Sequence, residues 1–190
     1  MSDVQNNLTS RRSIYRFKSQ KIEKECLEIA FKAASKAPCH KDTHPWKFYV
    51  MGDETRHKLI PTVEQLAIKK AIGLDDSQID SNVKRAKDKI LNVPTIIAVT
   101  SSLSPGDKFR EKEDYAATVC ALHNLVLSLW DQGIGSQWST GSITRHKTAY
   151  DALGISQQIE EIIGFLKVGY PEKIPSKKKK DFSEIRYYLP

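Results

Sequence analysis

The sequence predicts a chain of mixed α and β structure without internal repeats, and three observations carry that reading. Glu111 to Gln132 is strongly helical, with Tyr115, Thr118, Val119, Leu122, Leu125, Val126 and Leu129 forming a wide apolar stripe at helical spacing. Pro94 to Thr100 is a nearly continuous β-branched run, the mark of a strand buried on both faces. Trp46 to Met51, alternating and aromatic, and Phe165 to Gly169 read as two further strands.

The remaining elements follow in order. A short helix ends near Leu8. The first long helix is expected over Ile22 to Ala37, with Ile22, Cys26, Ile29, Ala30, Ala33 and Ala37 along one face, and Pro38 stops it because proline cannot continue the amide ladder. After the Trp46 to Met51 strand, Gly52-Asp53 forms a turn with Asp53 as a helix cap. The lysine-rich stretch from Thr62 to Lys89 is mostly helix, and Gly73-Leu74-Asp75-Asp76 within it marks a mobile excursion rather than core. The run from Pro94 is the central strand. Gly133 ends the Glu111 to Gln132 helix, whose broad apolar face belongs in a large core or at a dimer interface. Gly135 to Thr140 is a short strand or loop, His146 to Leu153 a helix, and Gln157 to Ile162 a last short helix. The tail from Phe182 to Leu189, rich in Tyr and Ile after a charged linker, has the composition to pair as an extra strand.

Composition narrows the class. A chain of 190 residues fits one domain with a real core, and 39% apolar with 28% charged residues describes a globular chain, neither disordered nor fibrous. No apolar run approaches the roughly 18 residues that span a bilayer, and the polar start Met1 to Asn7 has no signal-peptide core, so a cytoplasmic protein without a membrane partner is expected. Cys26, Cys39 and Cys120 form no CxxC pair and are expected as free thiols. The net charge of +7 and the run Lys177 to Lys180 raise the question of nucleic acid. That run lies in a linker without interleaved aromatics, and no nucleic-acid-binding motif accompanies it, so no nucleic-acid partner is expected. A basic surface does favour the approach of anionic small molecules.

Two short stretches carry the chemistry. Arg11-Arg12-Ser13, with Arg16 close behind, suits a phosphate dianion, because guanidiniums offer paired charge-assisted hydrogen bonds and the hydroxyl adds a donor without bulk; the plain alternative is a solvated basic turn. Ala37 to Trp46 is a polar loop bounded by prolines that can hold the polyol and ring edge of a phosphorylated aromatic cofactor. Gly133-Ile134-Gly135 begins like a dinucleotide fingerprint, but the third glycine would fall at Trp138 and the segment follows a helix, so no such site is expected. His40 and His44 have the i, i+4 spacing of metal ligands, yet Pro38 and Pro45 disfavour a helix across them and no third ligand is expected nearby, so no metal is expected. No Ser-His-Asp set, carboxylate pair or Walker loop stands out, which leaves the reactive atom to a cofactor.

The order RRSxxxF near the N-terminus, APxHKxxxPWxF after a helix, and GFLxVGYP near the C-terminus resembles the nitroreductase family of flavin enzymes, in particular its short branch with His-Lys after Ala-Pro-x. The resemblance runs from about Leu8 to Tyr188. It implies an α+β fold with a central, mostly antiparallel sheet flanked by helices and a C-terminal strand exchanged in a homodimer. Residues 1–190 would form a single FMN-binding domain, with 174–190 reaching the partner subunit. The implied activity is FMN-dependent NAD(P)H oxidoreduction, in which NADH or NADPH and then a nitroaromatic or quinone-like acceptor react by ping-pong hydride transfer. Matched residue by residue, Arg11, Arg12 and Ser13 bind phosphate and polyol, Lys36 and His40 come from the other subunit, and Trp138, Ser139 and Thr140 line the ring. Arg12 and Lys36 give electrostatic support to the reduced flavin. Lys36 has a second reading as a solvated helix end. Val126 to Asp131 with Gln132 and Gly133 matches a stretch associated with the nicotinamide cofactor, but a largely apolar helix is more often core, and these residues stand outside the expected site. Many members carry Ser-Ser-x-Asn-x-Gln-Pro-Trp where this chain has Cys39 to Trp46, so the donor and acceptor habits of the larger branch do not carry over. The alternative function is a flavin-binding carrier or redox sensor without significant turnover.

Overall fold

The computed structural model describes residues 3–190. Among them the strands β1 (Trp46–Val50), β2 (Thr95–Ser102), β3 (Gly135–Ser139) and β4 (Glu160–Gly169) form one sheet of order β1-β2-β4-β3, with every pairing antiparallel. The helices are α1 (Asp3–Ser10), α2 (Lys24–Ala34), α3 (Asp53–Lys70), α4 (Asp76–Leu91), α5 (Lys108–Asp131) and α6 (Lys147–Leu153). The expected α+β architecture, an antiparallel sheet between helices, is present.

Strand β2 organises both cores. Its residues Thr95 to Ser101 are all buried: Ile96 to Val99 offer no polar side chain to water on either face, and Thr100 and Ser101 are hydrogen-bonded to Glu160 and Thr118. Successive residues point to opposite faces. Ile97 and Val99 meet α2 and α5 through Leu27, Ala30, Leu122, Leu125 and Leu129, whereas Ile96 and Ala98 meet α3, α4 and α6 through Leu59, Val63, Ile90 and Tyr150. Between Val99 and Thr100 the register with β4 shifts, so that Ile163 is an extra residue in the β4 strand.

Several elements differ from the sequence expectation. Helix α2 ends at Ala34, before Pro38, and buries Leu27, Ala30 and Ala34 while Ile29 is 50% exposed. The small alanines are turned inward because α2 lies directly on α5, where close approach favours little side chain. The Thr62 to Lys89 stretch is corrected in part: Thr62, Val63, Ala67 and Ala71 are buried in the core, residues 72–89 are half-buried or exposed, and only Ala71 to Asp75 interrupts the two helices. Each helix carries a narrow apolar row under a charged surface, which average hydropathy hides. Gly52, not Asp53, is the N-cap of α3, and the Asp75 side chain caps α4 by accepting from the Gln78 amide. Buried Arg56 donates to the carbonyls of Met51, Val93 and Pro94, tying the start of α3 to the entry of β2.

The short helix expected over Gln157 to Ile162 is not formed, and Glu160 instead opens β4. Its carboxylate is buried and satisfied by Lys47, by the Tyr49 hydroxyl at 2.9 Å and by the Thr100 hydroxyl at 2.7 Å. Burial pushes this carboxyl upward, but the three donors and the Lys47 charge outweigh it and hold the pKa below the usual value. The same contact, with burial leading, raises the Tyr49 hydroxyl to about 12. At the C-terminus, Phe182–Ile185 form a 3-10 turn closed by an Asp181–Glu184 capping box, and no strand follows it within the chain.

Lys167 in β4 is only 6% exposed and has no ion-pair or hydrogen-bond partner among the described residues. Burial, and then the charge of Lys89, lowers its pKa from 10.5 to about 8. The unfolded chain therefore binds this proton more tightly than the folded one, and stability rises with pH between about 8 and 10.5. At about 1.36 kcal/mol per unit, wild type should gain roughly 2–3 kcal/mol relative to Lys167→Met between pH 7 and pH 10. Paired urea-unfolding curves at the two pH values check this.

Candidate functional site

The N-terminal segment is fastened to the free edge of the sheet. Ser13 bridges Ser136 of β3 in parallel, the Ile14 amide donates to the Ser136 carbonyl at 2.9 Å, and the Lys18 amide donates to the Tyr170 carbonyl at 2.9 Å. Ile14 is fully buried by this docking. A Cβ at Gly135 would lie 2.4 Å from Ile14 Cγ1 and 3.1 Å from Pro171 Cγ, so only glycine permits the approach. The glycine that fails as part of a dinucleotide fingerprint thus has a steric role.

This docking places Arg11 and Ser13 in a cleft of about 190 Å³ with Ser136 and Trp138, facing Val119, Leu122, His123 and Val126 of α5. No carboxylate lines the cleft, and the half-buried Arg11 guanidinium has no side-chain partner among the described residues. Burial, and then the Arg11 charge, lower the pKa of His123 and favour its neutral form. Arg11 is then the formal charge of the cleft. Arg12 is turned away: its Nη1 donates to the carbonyls of Thr9 and Arg11, both at 2.9 Å, and closes the end of α1.

Trp138 is 40% exposed, and its indole Nε1–H donates to the carbonyl of Ile163, the extra residue of β4, at 3.2 Å. A Cβ at Gly164 would fall 2.1 Å from that nitrogen, so the indole needs glycine beneath it. Ser139 does not share the cleft. It lines a different cavity with Lys167, and Thr140 is exposed at the strand end.

The second loop lies elsewhere on the chain. His40–Asp42 form a 3-10 turn, and Lys41, Asp42 and His44 have left-handed backbone at φ 50°, 51° and 44°. Such non-glycine residues cost roughly 1–3 kcal/mol each and persist only where the surroundings hold them. Here the Thr43 hydroxyl donates to buried Asp114 at 2.8 Å, and His44 Nδ1 pairs with the Asp42 carbonyl at 2.7 Å. His40 lies 4.0 Å from Glu113, and Lys36 is exposed; neither lines the Arg11 cleft. The loop also brings donor atoms of Cys39, Asp42 and His44, without His40, within 4.8 Å of one another, which corrects the expectation that no third donor lies nearby. Val126 and Leu129 are buried in the core, as a plain reading of that helix stretch requires.

The fold brings the expected Arg11, Ser13 and Trp138 to one cleft and adds Ser136 and His123, which stand outside the expected set. Ser136 was visible only as the neighbour of Trp138 two residues on. His123 was hidden in a helix read through its apolar stripe.

The sequence model of the Nitroreductase family matches residues 8–170. YdjA of Escherichia coli strain K12, assigned as an NAD(P)H nitroreductase, is 31% identical over 170 residues, covering 90% of this chain and 89% of that protein. YfhC of Bacillus subtilis strain 168, with the same assignment, is 29% identical over 180 residues, covering 94% and 90%. The crystal structure of a nitroreductase-like family protein from Bacillus cereus superposes with a TM-score of 0.82 at 27% identity, covering 100% of this chain and 97% of that one. A nitroreductase-type protein of Desulfovibrio desulfuricans, crystallised with FMN, gives 0.77 at 19% identity over 100% and 98%, a likeness of fold.

Gly135→Ala should overpack the contact with Ile14 and lower stability by about 1–3 kcal/mol. Urea unfolding of this variant beside Gly141→Ala, where a Cβ meets nothing within 4 Å, separates the packing effect from the loss of glycine flexibility.

Proposed function

The chain belongs to the nitroreductase family, and from that premise we propose that it is an FMN-dependent NAD(P)H oxidoreductase that acts as a homodimer on nitroaromatic or quinone-like acceptors. The observation that carries the flavin reading is the unpartnered Arg11 guanidinium beside Ser13 and Trp138 in a cleft free of carboxylates. A spare cation, a small hydroxyl and a flat indole are the donor set that a phosphorylated aromatic cofactor needs, so the residues present fit FMN.

Arg11 and Ser13 would hold the phosphate, and the Trp138 indole would offer an apolar surface to the ring system. Arg12, with one nitrogen committed to the end of α1, would contribute charge and no full fork. Thr140 and the backbone of Ser139 would meet the ring at the strand end, the Ser139 side chain lying on the other face of β3, and Lys36 and His40 of a second copy would complete the site. FMN, when bound, supplies the two-electron hydride chemistry between nicotinamide donor and acceptor. The protein orients the reactants and sets the charge around them.

The homodimer is supported by apolar surface that the single chain leaves uncovered. Phe182, Ile185, Tyr187, Tyr188 and Leu189 are 64–88% exposed, and residues 174–190 would extend a single FMN-binding domain onto the partner. No helix among the described residues is long and apolar enough to cross a membrane, and a cytoplasmic location is part of the proposal.

The purified protein should be yellow, with flavin absorption that bleaches under anaerobic NADH or NADPH and returns on adding a quinone. Arg11→Ala should weaken FMN binding by about tenfold to a hundredfold, the loss expected for hydrogen bonds to a charged group. A colourless protein that cannot take up FMN contradicts the reading. Yellow protein that neither donor bleaches would point to a carrier.

A further inference from the structure

We propose that the open cavity between α3, α4 and the sheet is a binding site for a small organic carboxylate with an apolar body, its carboxylate held by Lys167. The cavity measures about 380 Å³, within the range of small-molecule sites. It lies on the opposite face of β3 from the Arg11 cleft: Trp138 points to one side and the next residue, Ser139, to the other. The inference therefore stands on this cavity alone and does not depend on the flavin reading.

Lys167 supplies the central observation. It is more than nine-tenths buried, it reaches the cavity, and no acid or carbonyl among the described residues takes its protons. The largely buried side chain ends in an ammonium that opens on the cavity without a protein partner, which leaves a place there for a counter-ion. The rim reinforces that preference. Lys70 of α3 and Arg85 and Lys89 of α4 line the same cavity, and no Asp or Glu lines it. Nearby acids of these helices are already engaged, Glu64 with Lys87 and Asp88 with Lys84.

The walls choose between anions. Val63, Leu66, Ile143 and Phe165 give the cavity an apolar surface that an inorganic phosphate would leave uncovered. One ammonium at depth matches one carboxylate, whereas a phosphate dianion calls for several donors converging at one point. Burial and the Lys89 charge lower Lys167 only to about 8, so it is largely ammonium at neutral pH and can pair with a carboxylate.

The test is calorimetric titration of the full-length purified protein with sodium octanoate. Saturable binding of one octanoate per chain is expected, weakened about tenfold to a hundredfold in Lys167→Met and several-fold in the exposed-rim variant Lys89→Met. The neutral analogue octanol should not compete at equal concentration, and inorganic phosphate should not displace octanoate. Flavin absorption measured on each variant should be unchanged, so a failure here is distinguishable from failure of the flavin reading. Absence of octanoate binding, equal affinity in wild type and both variants, or displacement by phosphate would each overturn the assignment. Circular dichroism and the unfolding curve of Lys167→Met confirm that the variant compared is folded.

Discussion

The chain depends on how its N-terminal segment is laid against an open sheet edge. β3 is an edge strand whose outer backbone groups would otherwise face water or a foreign strand. The Ile14 amide takes the Ser136 carbonyl, Ile14 itself is buried, and the Glu172 amide takes the Arg16 carbonyl at 3.1 Å. Covering the edge and building the cleft are therefore one event. Arg11 and Ser13 sit beside Trp138 because the residues that follow them are fastened, and Gly135 is the steric condition for that fastening.

A second theme is where the chain pairs its charges and where it leaves them single. Structural charges are matched: Glu160 is surrounded by donors, Arg56 by three carbonyls, and Asp114 by Thr43 and Arg110. Two unmatched cations line cavities, Arg11 on one face of the sheet and Lys167 with its rim on the other. The net charge of +7 is thus partly explained by two places that favour anions, and not only by a diffusely basic surface. The alternation of β3 is what separates them.

Much of the fold was legible in local patterns. The β-branched run is the central strand, and the stripe of α5 marks the longest helix, ended at Gly133 with φ 74°. The candidate site was legible in part: Arg11, Ser13 and Trp138 converge, whereas Arg12 is diverted to a helix end and Ser139 to the other face. What was hidden depends on tertiary contacts. Glu160 and Lys167 look solvated in sequence, yet one is buried with partners and the other without. α3 and α4 read as a polar excursion because their buried rows are narrow. The tail from Phe182 to Leu189 leaves its large apolar side chains exposed, which its composition alone does not explain.

The grip of Arg11 and Ser13 on a phosphate is tested most directly by comparing FMN with riboflavin, which differs only in lacking the phosphate, in titrations of the cofactor-free protein. Tighter binding of FMN by at least about tenfold, with that preference lost in Arg11→Ala, is the predicted result. Equal affinity for the two, or a preference that survives removal of Arg11, would contradict it.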